Sequence, residues 1–404
     1  MSTSLLYHAF GVRDYQYSRT DYVGGMVLFH VEPKEKLICC PSCGSEDVIR
    51  RGAKERWFRS VPIGHRLTRI VSKIPRVECR SCQAVRQIKI GFAEPQRTYT
   101  RSFARYALEL TRHMTIKDVA HHLDVTWDVI KEIKKKYLQI HFSRPPLKGV
   151  THIAIDEISI GQGPKYITVV LDLESGAILF VGEGKSADTL LPFWRRVRRS
   201  KAQIEAVAMD MSAAYIRAVE AHLPDATIVF DHFHVIKLMN EKLTALRRDL
   251  FREAMEGLQK NVLKGIRWLL LKNPEHLDDD KDEPRRLEEA LQLNAPLATA
   301  YYLKEELRQF WKQSNKKQAE RLLTAWCKKA MSTGIAQLIT MARTLAAHSV
   351  GLLAYYDHPI STGPLEGTNN KIKTMQKQAY GIRDKEFLKL SIYALHLKKY
   401  VLLG

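Results

Sequence analysis

The spacing of apolar residues between positions 100 and 142 predicts three short helices. Apolar residues recur every three or four positions in three groups, which are Phe103, Ala107 and Leu110, then Ile116, Val119 and Ala120, then Val129, Ile130 and Ile133. Thr115 with Asp118 resembles a capping box at the second helix, and Thr126 is placed to cap the third. We therefore predict a helix-turn-helix at residues 99–142 and a linker at 143–149, against the plainer alternative of an ordinary three-helix packing element.

After residue 150 the pattern changes to that of strands. THIAIDEISI, PKYITVVLDL and GAILFVGEG predict an antiparallel meander, and a helix, the strand IEAVAMD, a second helix and the strand ATIVF follow. Three strands, helix, strand, helix, strand is the order of an RNase H-like α/β fold. We assign residues 150–240 to the first part of this core, 241–355 to an all-α insertion and 356–404 to the return of the chain to the core.

Composition and charge narrow the class of protein. Of 404 residues, 45% are hydrophobic, and no apolar run approaches the roughly 20 residues that a membrane span needs. The N-terminus lacks a basic region followed by an apolar one, so we expect a cytoplasmic protein. The net charge of +20 favours polyanionic partners, and without a basic amphipathic anchor we favour nucleic acid over an anionic membrane surface.

Five of the six cysteines lie in the first 100 residues. Cys40 with Cys43 and Cys79 with Cys82 form two C-x2-C pairs, which predict a structural zinc ribbon over residues 39–98. The 35 residues between the pairs are more than a compact ribbon needs, and they predict a long strand hairpin. Buried or free cysteines are the alternative; Cys39 competes with Cys40, His65 is a possible substitute ligand, and residues 1–38 carry no prediction.

Three acids are candidates for the chemistry of the core. Asp156 lies on the first predicted strand and Asp210 ends the fourth, which is its neighbour in an RNase H-like sheet. Glu366 opens a later helix in a basic segment. Carboxylates bind Mg²⁺ or Mn²⁺, and two such ions about 4 Å apart catalyse in-line phosphoryl displacement. Strand alternation turns Glu157 to the opposite face, and Asp172 and Asp231 remain further acids to compare.

Four segments carry a resemblance to a known family. AIDE, AVAMDMSAAY, IVFDHFHVIKLMNEKL and GPLEGTNNKIKTMQKQAYGIRDKEFLKL resemble the signature blocks of the IS-L-three (ISL3) family of bacterial insertion-sequence transposases. The resemblance implies that Asp156, Asp210 and Glu366 are the DDE triad and that the helical block is the insertion found in many such enzymes. It also covers His232 and His234, without giving them a role, and implies a bacterial protein associated with the nucleoid when bound to DNA.

The implied activity is binding of terminal inverted repeats, metal-dependent cleavage of the DNA ends and strand transfer to a target. Joining two ends implies at least a homodimer. We expect the third helix of the helix-turn-helix to expose DNA-contacting residues, and the helix of Glu366 to add others: Trp127, Lys131, Lys134 and Lys135, and Asn369, Asn370, Lys371, Lys373 and Lys377. The alternatives are a DNA-binding regulator descended from a transposase and an RNase H-like structure-selective nuclease.

Overall fold

The computed structural model describes residues 5–161, 163, 165–254 and 258–395, with the side chains of 258–261 excepted. The chain divides into two compact units, and the boundary between them falls after His141. We describe each unit by itself. No helix in the described part of the chain is both long and apolar enough to cross a membrane.

The first unit is built on a five-stranded sheet. Its elements are α1 (Leu5–Phe10), β1 (Tyr15–Val23), β2 (Met26–Pro33), β3 (Val48–Ile63), β4 (Arg66–Cys79) and β5 (Val85–Gln87). The strand order is β1-β2-β4-β3, and β5 pairs with β4. The long β3–β4 hairpin confirms the prediction for the segment between the cysteine pairs. The segment without a prediction supplies α1 and the β1–β2 hairpin, whose second strand pairs in parallel with β4.

Three helices follow the sheet: α2 (Arg101–Leu110), α3 (Ile116–His122) and α4 (Trp127–Phe142). Their apolar faces form one core around Phe103, Val119 and Ile130, which confirms the predicted periodicity. The Thr115 side chain accepts a hydrogen bond from the Asp118 amide and so caps α3 as predicted. Asp124, with φ of 48°, makes the left-handed turn between α3 and α4.

The second unit contains the predicted α/β core. Its strands are β6 (His152–Ser159), β7 (Tyr166–Asp172), β8 (Ile178–Glu183), β9 (Ala206–Met209) and β10 (Thr227–Phe230), in the order β10-β9-β6-β7-β8. The first three strands are antiparallel, whereas β9 pairs in parallel with both β6 and β10. This topology confirms the RNase H-like fold.

Helices cover both faces of this sheet. On one face α5 (Leu191–Ser200), α6 (Ala213–His222) and α7 (His232–Glu253) pack against alternate residues such as Ile153 and Ile155. On the other face α15 (Gly363–Gln378) and α16 (Lys385–Tyr393) pack against Ala154 and Ile158. The two faces of β6 therefore lead to two different sets of helices.

A block of helices separates β10 from α15. It comprises α8 (Leu258–Gly265), α9 (Arg267–Leu271), α10 (Glu283–Gln292), α11 (Ala295–Arg308), α12 (Lys316–Ser332), α13 (Ala336–Ala347) and α14 (Ser349–Leu353). This block shares one hydrophobic core with α5, α6 and α7. Helix α14 closes onto β10 at Gly351, where a Cβ atom would lie 2.5 Å from the Phe230 ring, so only glycine fits.

Candidate active site and nucleic-acid interface

Asp156 and Asp210 lie at the same edge of the second sheet. The parallel register pairs Ala154 of β6 with Ala208 of β9, so Asp156 and Asp210 stand opposite each other two residues farther along. An Asp156 oxygen accepts a hydrogen bond from the Glu157 amide at 2.7 Å, and an Asp210 oxygen accepts one from the Ser212 amide at 3.0 Å. Burial raises the pKa of Asp156, and the neighbouring negative charge of Asp210 adds to that rise.

Helix α15 approaches this pair through Asn369. The Asn369 Nδ2 group donates a hydrogen bond to Asp156 Oδ2 at 2.8 Å. The Asn369 Oδ1 atom is buried and has no hydrogen-bond partner among the described residues. A buried amide oxygen without a partner costs free energy unless a water, an ion or a ligand satisfies it.

Glu366 lies one helical turn before Asn369 and is exposed. Its carboxylate does not form a tight cluster with those of Asp156 and Asp210. In the described chain, the four cysteines are the one group of three or more potential metal ligands whose atoms all lie within 4.8 Å of one another. The structure thus brings the two aspartates together and puts Glu366 on the helix that contacts Asp156, with its side chain open to solvent.

The DHFH segment adds a buried carboxylate and a histidine next to the aspartates. Asp231 is 1% exposed and accepts a hydrogen bond from the Thr362 amide at 3.1 Å. His234 Nδ1 lies 3.3 Å from Asp231 Oδ2, and His234 Nε2 lies 3.9 Å from Asp156 Oδ1. Burial alone would raise the pKa of Asp231, but the hydrogen bonds from His234 and Thr362 outweigh burial and lower that pKa.

Sequence reasoning left the role of this segment open. Asp231 and His234 lie three residues apart, and α7 begins at His232, so both side chains fall on one side of the first turn. This spacing, at the end of a buried strand, was the signal that could have linked them. Their contact with Asp156 depends on the tertiary fold. His232, by contrast, is exposed, and its ring packs against Trp311 at a centroid distance of 5.8 Å.

Glu157 and Asp172 have partners away from the aspartate pair. Glu157 lies on the face of β6 opposite α15, where Ile153 and Ile155 share a core with Tyr215 of α6, as the alternation predicted. Burial raises the pKa of Glu157, and the nearby Tyr215 hydroxyl opposes that rise. Asp172 is buried and accepts hydrogen bonds from the amides of Glu174 and Ser175, both at 3.2 Å. It therefore stabilises the turn between β7 and β8.

The four predicted cysteines of the first unit converge on one point. Cys40 Sγ lies 3.5 Å from Cys82 Sγ, and Cys43 Sγ lies 3.5 Å from Cys79 Sγ. Four thiolates around Zn²⁺ at about 2.3 Å have sulfur atoms about 3.8 Å apart, so the cluster fits a structural zinc site. The cluster includes Cys40 and omits both Cys39 and His65. Cys327 is buried in α12, in keeping with a core cysteine.

The outer face of α4 differs from the predicted one in its lysines. Trp127 is 53% exposed, as expected, and the neighbouring Asp128 is also exposed. Lys131, Lys134 and Lys135 were expected to be exposed, but they are half-buried. Lys134 lies one turn after the buried Ile130, so it borders the packed side of the helix, and burial lowers its pKa. The Lys131 ammonium lies 5.6 Å from the centre of the Trp127 ring.

On α15 the polar residues divide by their angle around the helix. Asn370, Lys371, Lys373 and Lys377 are exposed, whereas Asn369 is half-buried against Asp156. At about 100° per residue, Lys373 and Lys377 lie within about 20° of Glu366, whereas Lys371 is turned about 140° away. A single exposed stripe therefore runs from Glu366 along the helix through Lys373 and Lys377.

Family models match three consecutive segments. The zinc finger of transposases IS204, IS1001, IS1096 and IS1165 matches residues 36–82, the helix-turn-helix domain of transposase family ISL3 matches 88–137, and the ISL3-type DDE transposase model, described as a transposase, matches 153–392.

Whole proteins are similar over most of the chain. The transposase for insertion sequence element IS1001 of Bordetella parapertussis is 32% identical over 376 residues, covering 92% of this chain and 92% of the relative. The transposase for IS1557 of Mycobacterium tuberculosis is 26% identical over 391 residues, covering 90% and 87%. Among solved structures, the Drosophila P element transposase strand transfer complex has a TM-score of 0.40 and 10% identity, over 75% of this chain and 94% of that one.

Proposed function

Because this chain belongs to the ISL3 family of DDE transposases, enzymes that cleave DNA and transfer its strands, we propose that Asp156, Asp210 and Glu366 are its catalytic acids. We further propose that the enzyme acts on the terminal inverted repeats of its own insertion sequence, with two Mg²⁺ or Mn²⁺ ions. The observation that carries the assignment is the facing pair Asp156 and Asp210, two residues beyond the last parallel pair of β6 and β9.

The Asn369 contact supports Glu366 as the third acid. Asn369 donates to Asp156, so the first turns of α15 lie beside the aspartate pair. Glu366 is three residues earlier in the same helix, and residues three apart are neighbours on a helix surface. Its exposed side chain therefore belongs to the helix face next to the one that contacts Asp156.

The residues present fit a hard divalent cation. The donors are carboxylate oxygens, joined by the unsatisfied Oδ1 of Asn369, and oxygen donors are what Mg²⁺ and Mn²⁺ prefer. Burial raises the pKa of Asp156, the negative charge of Asp210 adds to that rise, and both effects favour a cation between the two half-buried carboxylates. When bound, the ions activate the attacking oxygen and neutralise charge on the leaving oxygen.

The chemistry consists of two in-line displacements at phosphorus. In the first, water attacks the phosphodiester at the element end, the bond from phosphorus to the 3′-oxygen breaks, and that oxygen takes a proton. In the second, the freed 3′-hydroxyl attacks a target phosphodiester, one ester bond forms as another breaks, and no external energy source is needed. Asn369 holds the Asp156 carboxylate in its orientation throughout.

Recognition of the ends falls to the first unit in this proposal. The four-cysteine ribbon stabilises the sheet, and α4 presents Trp127 and Lys131 to DNA. On α15, Asn370, Lys373 and Lys377 extend from Glu366 as contacts to the transferred strand. Two ends are joined in one reaction, so the active form is at least a homodimer.

The test incubates the protein with a duplex carrying the inverted repeat that flanks its gene, in Mg²⁺ or in EDTA. We expect nicks and joined strands in Mg²⁺ alone, and loss of both in Asp156→Asn, Asp210→Asn and Glu366→Gln with DNA binding retained. Glu205→Gln is the matched control, since this exposed acid lies just before β9, at the end opposite Asp210. Nicks without joined strands would identify a nuclease, and binding without cleavage a regulator.

A further inference from the structure

A groove of about 400 Å³ lies on the surface of the second unit, between α7 and α9. From α7 it is lined by Phe233, Lys237, Asn240, Thr244 and Arg248, together with Ile236 and Glu241, and from α9 by Arg267 and Leu271. None of these residues is one of the proposed catalytic acids. The catalytic proposal therefore gives the groove no role.

The lining residues of α7 form one stripe that begins at the active site. Positions 233, 237, 240, 244 and 248 follow the three- and four-residue spacing of a single helix face. From Phe233 to Arg248 the stripe runs about 22 Å at 1.5 Å per residue. Phe233 is adjacent in sequence to His234, which lies 3.9 Å from Asp156. The groove is thus a track that starts beside the catalytic carboxylates.

The charge along this track is positive, and the described residues do not neutralise it. Lys237, Arg248 and Arg267 are exposed, and no ion pair joins any of them to a carboxylate in the described chain. Glu241 is the one acid in the lining. Arg247 is next to this group, and the positive charges of Arg267 and Arg248 reinforce the lowering of its pKa by burial. Positive side chains that lie close together without carboxylate partners repel each other, so an anionic partner is favoured there.

Exposed aromatic rings lie in the groove and next to it. Phe233 of the lining is 47% exposed, and its ring meets that of His234 edge-on at 5.6 Å. The guanidinium of Arg267, also in the lining, lies 4.7 Å from the centre of the exposed ring of Trp268, which is outside the lining. Basic side chains along a groove with exposed aromatic rings are typical of surfaces that bind a single nucleic-acid strand.

We propose that this groove binds one DNA strand as it leaves the active site. The backbone phosphates lie along Lys237, Arg248 and Arg267, and Phe233 stacks on the unpaired base next to the scissile phosphate. The inference rests on the proposed function, because that function puts a scissile phosphate at Asp156. In this proposal α7, with α9 of the helical block, holds the strand beside the reaction centre.

Photocrosslinking tests the path of the strand. The photoreactive amino acid p-benzoylphenylalanine replaces Phe233 in the full chain carrying Asp156→Asn, and the probe is a duplex with the inverted repeat and its flank, nicked at their boundary. We expect crosslinks at the bases next to the nick, and separate labelling of the repeat strand and the flanking strand identifies which one occupies the groove. The same replacement at Tyr302, 63% exposed on α11, is the matched control and gives no crosslink.

A second measurement tests the phosphate contacts. We compare the salt dependence of binding to the same nicked duplex for two variants. The first carries both Lys237→Gln and Arg248→Gln. The control carries Arg285→Gln, at an exposed arginine of α10 that is paired with Glu289 and lies outside the groove. The slope of log K against log salt is negative, and each lost contact with a single strand makes it less steep by about 0.7. We expect the slope of the double variant to be less steep by about 1.4 and that of the control to be unchanged.

The outcomes separate the two proposals. An absent crosslink at position 233 together with an unchanged slope would overturn the groove assignment, even if cleavage is normal. A crosslink and a changed slope would support the groove, and if the protein with an intact Asp156 never cleaves the inverted-repeat duplex in Mg²⁺, the catalytic proposal fails while the groove assignment stands. Crosslinks to a copurified protein in place of DNA would also overturn it, in favour of a protein partner.

Discussion

Asp156 and Asp231 lie on either side of His234 and differ in what their charge does to the fold. Asp156 is half-buried beside Asp210, and its pKa is raised, so its ionised form is disfavoured in the folded protein. Asp231 is fully buried, but hydrogen bonds from the Thr362 amide and His234 lower its pKa, so its ionised form is favoured. We therefore assign a structural role to Asp231 and a catalytic one to Asp156.

Removing the Asp231 charge is expected to destabilise the protein. Asp231→Asn weakens the bonds to Thr362 and His234, and hydrogen bonds to a buried charge contribute about 2 kcal/mol. The pKa of Asp231 is lower in the folded protein than in the unfolded one. Its contribution to the free energy of unfolding is therefore present above the unfolded pKa and is lost as the pH falls through the folded pKa. Urea unfolding at neutral and acidic pH measures it. Equal stability of variant and wild type at neutral pH would contradict the assignment.

Removing the Asp156 charge is expected to act in the opposite direction. In EDTA, Asp156→Asn relieves the repulsion from Asp210, so its melting temperature equals or exceeds that of the wild type. In Mg²⁺ or Mn²⁺ the wild type gains stability because the ion binds the folded state, whereas the variant gains little. Thermal melts with and without metal give both comparisons. A metal-induced shift that persists in the variant would show that the ions bind elsewhere.

At the residue scale, alternation along β6 was enough to separate Asp156 from Glu157. Strand alternation cannot predict the hydrogen bond between Asp231 and the Thr362 amide, because the two residues are 131 positions apart in sequence. A helical block folded between them brings the two together. Contacts of this kind depend on the tertiary fold and cannot be predicted from periodicity.

At the scale of elements, the helix-turn-helix is attached to the zinc-ribbon sheet through Arg59. This buried side chain donates a hydrogen bond to the Leu123 carbonyl at 2.5 Å and lies near Asp124, in the turn between α3 and α4. The Arg59 backbone pairs with Thr98 and Thr100, at the start of the helices. The turn of the helix-turn-helix is thus held against the last third of β3.

We expect Arg59→Met to weaken both the fold of the first unit and its recognition of DNA. The substitution leaves the Leu123 carbonyl without its donor, which costs about 1–3 kcal/mol. Denaturant unfolding and binding to the inverted repeat measure the two effects. Arg69→Met is the control, since Arg69 lies on β4 and stacks on the exposed Trp57. Unchanged stability of Arg59→Met would contradict the role of this contact.

The elements themselves were largely predictable. Helix periods and the Thr115 cap predicted α2 to α4, and the two cysteine pairs predicted the ends of the β3–β4 hairpin. The β1–β2 hairpin was not predicted, because its strands add to the sheet through a parallel pairing of β2 with β4 that no local pattern specifies. The lysines of α4 also differ from prediction, because burial depends on what packs against the helix.

At the scale of the whole molecule, the chain carries DNA recognition and chemistry in separate units, each with its own metal chemistry. Thiolates of the first unit suit Zn²⁺, whereas carboxylates of the second suit Mg²⁺ or Mn²⁺. The order of ribbon, helix-turn-helix and α/β core was predictable from the sequence, since each has its own pattern. The positive groove along α7 was not, because its two walls come from separate helices.

Loss of zinc is expected to impair recognition and leave the catalytic unit folded. In Cys40→Ser and Cys79→Ser the zinc content falls sharply, because each variant removes one of four ligands. Cys39→Ser is the matched control and keeps its zinc, since Cys39 lies outside the cluster. Metal analysis measures the zinc content, and limited proteolysis reports whether the catalytic unit stays folded. Full zinc content in Cys40→Ser would exclude this cysteine as a ligand.

Single-turnover nicking by Glu366→Gln tests whether Glu366 completes the site formed by Asp156 and Asp210. With the inverted-repeat duplex bound to saturation in Mg²⁺, we expect the nicking rate to fall at least about a hundredfold, because a metal-binding carboxylate is lost. Binding affinity and melting temperature in EDTA stay those of the wild type. A nicking rate equal to that of the wild type would contradict the claim and remove Glu366 from the site.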